Sequence, residues 1–196
     1  MVDGPFHDKP DSINGFFLRN LRSFDATAQG SNTLARIKLP LGLDSLPDTV
    51  RERVRAFLTS PYDVSIEPLV AAADLDYLEF AMVNPKVRFS KYKYAYGISR
   101  QPGMSEKLWG RLVKLDVDGG KVLGQWSEPG CVCTEPVFVP VPGAGAEDDG
   151  AVLSIVFVGS GDVCVVVLDA AKFTEMARVW LPTKVHYSFH SCFKLV

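Results

Sequence analysis

The sequence predicts an antiparallel all-β fold. From residue 62 onward, short apolar runs recur and are broken by glycine, proline and aspartate, which is the pattern of many short strands. Two turn segments, 116–120 and 159–162, are rich in glycine and aspartate, and each joins two apolar runs as a hairpin loop does. Because no repeat of fixed length stands out, the periodicity leaves a sandwich, a barrel and a propeller open as alternatives.

The predicted strands follow one another at short intervals. An early strand covers residues 33–39 and ends before Pro40. The later strands are predicted at 62–67, 77–82, 92–98, 109–116, 121–126, 134–139, 151–158, 162–168, 175–181 and 185–190. One short helix is predicted near 48–59, because its apolar residues recur at helical spacing while its charged residues face away.

The composition indicates a globular protein without a nucleic-acid partner. The chain has 196 residues, of which 47% are hydrophobic and 22% charged, with a net charge of -2, so it offers no basic field to nucleic acid. The alternating lysines and tyrosines of residues 91–96 favour an amphipathic strand with its tyrosines inward. We find no signal peptide and no apolar run near the roughly 20 residues of a membrane span. The compartment is therefore unknown, with cytoplasm and plastid both compatible, and peripheral membrane contact stays open.

Cysteine and histidine spacing identifies no metal site. Four cysteines are present, and their spacing fits no zinc motif, so we predict free thiols. The histidines are His7, His186 and His190. If residues 185–190 form a strand, His186 and His190 point to one face about 13 Å apart, too far to bind one ion together.

Two glutamates stand out because each interrupts an apolar strand. Glu79 lies within the run 77–82, and Glu135 lies within 134–139. Strand alternation allows both side chains to face solvent. The alternative is that each carboxylate accepts a hydrogen bond from the ring N–H of a metal-bound histidine, which fixes the imidazole and raises its basicity. The residues alone leave both interpretations open.

The order of a set of short segments resembles the carotenoid cleavage oxygenase family, which includes the retinal-forming carotene oxygenases and the retinoid isomerase of the visual cycle. The resemblance covers about residues 77–196 well and 13–41 more faintly. No single segment is specific, but the colinear set is. The segments are LEF at 78–80, Asn84, KYAYG at 93–97, KL at 107–108, LVKLDV at 112–117, TEPVFVP at 134–140, PG at 142–143, EDDG at 147–150, LSIV at 153–156, VLDA at 167–170, KFTEMAR at 172–178 and FH at 189–190.

The resemblance implies a fold, a cofactor and a reaction. The family fold is a seven-bladed β-propeller with ferrous iron on its axis, held by four histidines, three of which are hydrogen-bonded to glutamates. Carried over by motif, His190 resembles the last iron ligand, and Glu79 and Glu135 resemble two of the three supporting carboxylates. The implied reaction is cleavage of a double bond in a carotenoid or apocarotenoid by O₂, with Fe(2+) as the cofactor.

The resemblance also implies that this chain is incomplete as a catalyst. The family is some two to three times longer, so residues 1–196 are expected to be the C-terminal part of a single propeller domain. Three ligating histidines and one glutamate have no counterpart, His7 lacks the family motif, and Ser191 stands where the family usually has glycine. Two alternatives stay open: a catalytically inactive fragment or paralogue, and a small β-rich module that binds an apolar ligand.

Overall fold

The computed structural model describes residues 2–7, 32–38, 65–70, 75, 77–100, 109–188 and 190–194. Within these ranges all regular structure is β-strand, apart from one 3-10 turn at Pro85–Val87. The predicted all-β fold is therefore confirmed for this part of the chain. The helix predicted near 48–59 lies outside the described residues. In the described part of the chain, no helix has the length and apolar character needed to cross a membrane.

The strands form three antiparallel sheets, which follow one another along the chain. The first sheet has the order β1-β2-β3, with β1 at Val2–His7, β2 at Asn32–Lys38 and β3 at Ser65–Pro68. The second sheet has the order β4-β5-β6-β7, with β4 at Glu79–Met82, β5 at Tyr94–Ser99, β6 at Arg111–Asp116 and β7 at Lys121–Ser127.

The third sheet has five strands and a divided edge. Its central strands are β10 at Gly150–Phe157 and β11 at Val163–Asp169, and β12 at Glu175–Trp180 forms one edge. The other edge is shared by β8 at Val132–Cys133 and β9 at Val137–Pro140, both of which pair with β10. Residues 134–136 separate these two short strands.

The two predicted hairpin turns are present. In the turn between β6 and β7, the Gly119 N–H donates to Asp116 Oδ1 at 2.7 Å, and Gly120 has a φ of 63°. In the turn between β10 and β11, the Val158 N–H donates to the Asp162 carbonyl at 2.9 Å, and Gly161 has a φ of 88°. Glycine adopts this left-handed backbone without a steric penalty, so it marks both turns in the sequence.

The second sheet lies between the other two, and its central strands β5 and β6 are buried on both faces. Ala95, Val113 and Leu115 pack in one apolar cluster with Leu34 of the first sheet. The alternate residues of the same strands pack in the other cluster, with Phe138 and Val152 of the third sheet among its members; these residues are Tyr96, Ile98 and Leu112. Because successive side chains on a strand point to opposite faces, β5 and β6 contribute to both clusters.

Most predicted strands are confirmed, and one is wrong. Residues 185–188 and 190, the described part of the predicted strand 185–190, have no regular secondary structure. Val185 and Tyr187 give that segment an apolar alternation, but Val185 is exposed and Tyr187 is only partly buried. The described residues of this segment pair with no strand, so the predicted 13 Å separation of His186 and His190 loses its basis. Strands β1 and β8 were not predicted, and β8 is only two residues long.

Candidate functional site

The two glutamates occupy corresponding places in consecutive sheets. Glu79 is the first residue of β4, which is an edge strand of the second sheet. Glu135 lies between β8 and β9, the two short strands that share an edge of the third sheet. Glu79 therefore lies on the edge strand with which its sheet begins in the sequence, and Glu135 lies in the break between the two strands with which the next sheet begins.

Local hydrogen bonds explain why the strand is interrupted at Glu135. The Thr134 N–H donates to the Ile155 carbonyl at 3.0 Å, the Ile155 N–H donates to Thr134 Oγ1 at 3.1 Å, and Ser154 Oγ donates to the Thr134 carbonyl at 2.9 Å. Pro136 follows, and it has no N–H to continue the ladder. Side-chain hydroxyls thus replace regular strand pairing at the point where the Glu135 side chain leaves the sheet.

The structure brings Glu135 and His190 together. His190 Nδ1 lies 3.2 Å from Glu135 Oε2, and the Ser191 N–H donates to the same oxygen at 3.0 Å. The Glu135 side chain is only 13% exposed, whereas the His190 side chain is 78% exposed. When Nδ1–H donates to the carboxylate, Nε2 keeps its lone pair, which is the tautomer of a metal ligand.

Glu79 is held by a hydrogen-bonded aromatic pair. The Tyr77 hydroxyl donates to Glu79 Oε1 at 3.2 Å, and the Trp109 side chain is hydrogen-bonded to Tyr77. Burial, reinforced by the negative charge of Glu79, raises the pKa of Tyr77 well above its usual value. Tyr77 therefore stays protonated and remains a donor to the carboxylate.

Phe80 connects the Glu79 strand to His190. The rings of Phe80 and His190 meet edge to face, with centroids 5.5 Å apart and planes at 86°. Sequence reasoning missed this residue as part of the site. Its position directly after Glu79 in the LEF segment was the available signal, but nothing in the sequence indicates a partner 110 positions along the chain.

A segment whose described residues, 181–188 and 190–194, have no regular secondary structure carries His190 to these two edges. The Leu181 N–H donates to the Val163 carbonyl at 2.9 Å. Further along, the Tyr187 ring lies 6.3 Å from that of Trp109 and 5.4 Å from that of Phe157. Tyr187 thus packs against Trp109, which lies just before β6, and against Phe157 of β10, and these contacts place the residues that follow it.

The described residues supply a single candidate metal ligand at this place. Within them, no cluster of three or more histidine, cysteine, aspartate or glutamate side chains is arranged to hold a metal. His186 is exposed four residues before His190. A recess of about 200 Å³ adjoins Glu135 and is mainly apolar; among its lining residues are Val137, Leu153, Val165, Ser191 and Phe193.

The cysteines are free, as predicted, and among them Cys192 lines the recess beside Glu135. Cys131, Cys133 and Cys164 are buried, and Cys192 is exposed. Burial raises the pKa of the Cys131 thiol to about 11, and burial also raises the pKa of Cys133 and of Cys164. Thiols with raised pKa values are poor metal ligands and nucleophiles at neutral pH, because the thiolate is the reactive form.

Comparison with known proteins identifies the family. The model of the family described as retinal pigment epithelial membrane protein matches residues 1–195. The chain belongs to the carotenoid cleavage oxygenase family. A curated relative, carotenoid cleavage dioxygenase 8 homolog A, chloroplastic, of Oryza sativa subsp. japonica, is 37% identical over 164 residues, which are 81% of this chain and 28% of the relative. The human carotenoid-cleaving dioxygenase, mitochondrial, is 39% identical over 110 residues, which are 54% of this chain and 18% of that protein.

Solved structures show the fold of this family member. The cobalt-substituted apocarotenoid oxygenase of Synechocystis matches with a TM-score of 0.68 and 22% identity, over 86% of this chain and 31% of that one. Carotenoid oxygenases are β-propellers, so the predicted propeller architecture is confirmed. The chain spans less than a third of the length of each of these three proteins.

Proposed function

We propose that residues 1–196 form the C-terminal part of a single carotenoid oxygenase domain. Its substrate is a carotenoid or apocarotenoid, and its reaction is cleavage of a conjugated double bond by O₂ to give aldehyde or ketone products. Membership of the family supports this proposal, as do relatives that are named carotenoid cleavage dioxygenases. His190 binds ferrous iron as one of several histidine ligands.

The observation that carries the proposal is the contact between Glu135 and His190. A carboxylate oxygen 3.2 Å from Nδ1 favours the Nδ1–H tautomer and leaves the Nε2 lone pair available to a metal. The high exposure of the His190 ring leaves Nε2 accessible from outside the described residues. Neutral imidazole nitrogens are suitable ligands for iron. Glu135 acts by holding the ring, and it transfers no proton to the substrate.

The residues present fit part of an iron site: one ligating imidazole and two supporting carboxylates. His190 is the imidazole that would bind the metal, and Glu135 is the carboxylate that would orient it. Glu79 is the carboxylate for a second imidazole, and the Tyr77 hydroxyl holds it in place. When bound, the iron would supply the chemistry that activates O₂. The remaining ligands come from the part of the family sequence that this chain does not span.

Metal analysis tests the ligand assignment. We expect the 196-residue chain alone to retain far less than one iron per molecule and to cleave no β-carotene. A form extended to the length of its relatives should bind iron, and in that form His190→Ala should abolish iron retention. His186→Ala is the matched control, because His186 is exposed and only four residues away. Unchanged iron content in the His190→Ala variant would refute the assignment.

A protein that binds no iron is the second candidate. The lack of a three-ligand cluster among the described residues favours it. In that case the chain is a degenerate paralogue or a β-rich module for an apolar ligand. The extended form then contains no iron even with His190 intact, which distinguishes this candidate from the first.

A further inference from the structure

Phe80 has a backbone conformation that phenylalanine rarely adopts. Its φ is 51°, in the left-handed region that favours glycine. It lies where the pairing of β4 with β5 shifts register, between Glu79 and Met82. A bulge at a strand edge changes the direction in which a side chain points. Here it coincides with the contact between the Phe80 ring and His190.

The Phe80 ring is also fixed by a second contact. The Trp109 ring lies 5.4 Å from it at an interplanar angle of 79°. Trp109 is only 3% exposed, and it is hydrogen-bonded to Tyr77. Phe80 is therefore placed between a rigid indole and the imidazole, and it presents His190 with an aromatic surface of defined orientation.

Glu135 and Phe80 constrain His190 in different ways. A single hydrogen bond to Nδ1 fixes that atom but leaves the ring plane free to turn about the line from Nδ1 to Oε2. An edge-to-face contact with planes at 86° restricts that turn. We propose that Phe80 is a positioning residue that fixes the plane of the His190 imidazole and so the direction of its Nε2 lone pair. The use of that lone pair for a metal rests on the proposed function, whereas the positioning itself does not.

Nuclear magnetic resonance of the full chain with isotope-labelled histidine tests this positioning. The chain has three histidines, so His190→Gln assigns the His190 signals by difference. In the wild-type chain we expect nuclear Overhauser contacts between the ring protons of Phe80 and His190. We also expect the nitrogen shifts of His190 to report mainly the Nδ1–H tautomer.

The variants separate ring orientation from packing. Phe80→Leu keeps an apolar side chain at the same strained backbone position but removes the aromatic face. It should move the His190 ring-proton shifts toward those of the exposed His186 and reduce the share of the Nδ1–H tautomer. Phe80→Tyr should restore both. The backbone amide shifts of β5 and β6 show whether the sheet itself is intact.

Two results would overturn the proposal. One is a set of His190 shifts in folded Phe80→Leu that coincide with those of the wild type. The other is the absence of contacts between the two rings in the wild-type spectrum, which decides the question even if Phe80→Leu does not fold. Neither result depends on iron. Loss of iron with His190→Ala in the extended form tests the proposed function separately.

Discussion

Lys114 makes a buried connection between the two sheets that carry Glu79 and Glu135. It lies on β6, and its side chain is 3% exposed. Its ammonium group donates to Asp148 Oδ2 at 2.7 Å and to the Ala171 carbonyl at 2.8 Å, and it lies 4.4 Å from the centre of the Tyr94 ring. Asp148 and Ala171 belong to turns of the third sheet, so replacing Lys114 should weaken the contact between the sheets.

The Lys114→Met variant keeps most of the buried stem and removes the charge. Removal of one partner from a buried ion pair costs about 3–5 kcal/mol, because the other charge is left without compensation. The Asp148 side chain is 18% exposed, so water can partly solvate its carboxylate once the lysine is gone. We therefore expect a loss at the low end of this range, about 3 kcal/mol in the free energy of unfolding. Adding Asp148→Leu removes the uncompensated charge, and the double variant should be more stable than the Lys114→Met single variant.

Urea unfolding measures these differences in the free energy of unfolding. For a chain of this size, about 3 kcal/mol corresponds to a fall of about 6–12 °C in the thermal midpoint. Lys91→Met is the matched control, because the Lys91–Asp118 pair is solvent-exposed and its Nζ–Oδ2 distance is 3.7 Å. This control should leave the midpoint almost unchanged. If Lys114→Met unfolds at the wild-type midpoint, or if the double variant is no more stable than the single one, the reasoning is wrong.

Two further predictions concern packing and thiol reactivity. A methyl group at Gly97 would lie 2.6 Å from Leu78 Cδ1 and 3.1 Å from the Glu79 carbonyl oxygen, so Gly97→Ala should destabilise the chain by about 1–3 kcal/mol in urea unfolding; a wild-type midpoint would contradict this. Ellman's reagent should label one of the four cysteines rapidly in the native chain, the exposed Cys192, and all four after unfolding. Rapid labelling of a second native thiol would show that the buried cysteines are more accessible than in this structure.

The strands could be predicted from the sequence where apolar runs are bounded by clear turn residues. Strands β10 and β11 are apolar runs on either side of a turn with Gly161, and both lie within a residue of their predicted bounds. The acidic segment EDDG at 147–150, which leads into β10, was also recognised in the sequence, but its contacts were not. Glu147 accepts the backbone N–H groups of Lys93 and Tyr94, and Tyr94 is 53 positions away. Pairing across that distance depends on how the sheets pack, which strand periodicity does not encode.

The roles assigned to His190, Glu79 and Glu135 come from the resemblance rather than from spacing, and they stay predictions. His190 and Glu135 are 55 positions apart, and the predicted strand 185–190 gave no indication that they would meet. The alternative in which Glu135 faces solvent is excluded by its 13% exposure and its two donors. The left-handed backbone of Phe80 could not be predicted, because phenylalanine disfavours it and only tertiary packing maintains it.

The position of both glutamates at sheet edges explains how distant residues come to share one site. An edge strand leaves backbone groups on one side unpaired, so another part of the chain can approach it. Phe80 on the edge of the second sheet and Glu135 on the edge of the third both contact His190, so these two edges lie next to each other. The described residues of the segment, 181–188 and 190–194, reach these edges without strand pairing, because the ring contacts of Tyr187 and the hydrogen bond from the Ser191 N–H hold them there. The arrangement therefore requires both sheets in contact, and a change that separates them, such as Lys114→Met, should also loosen His190.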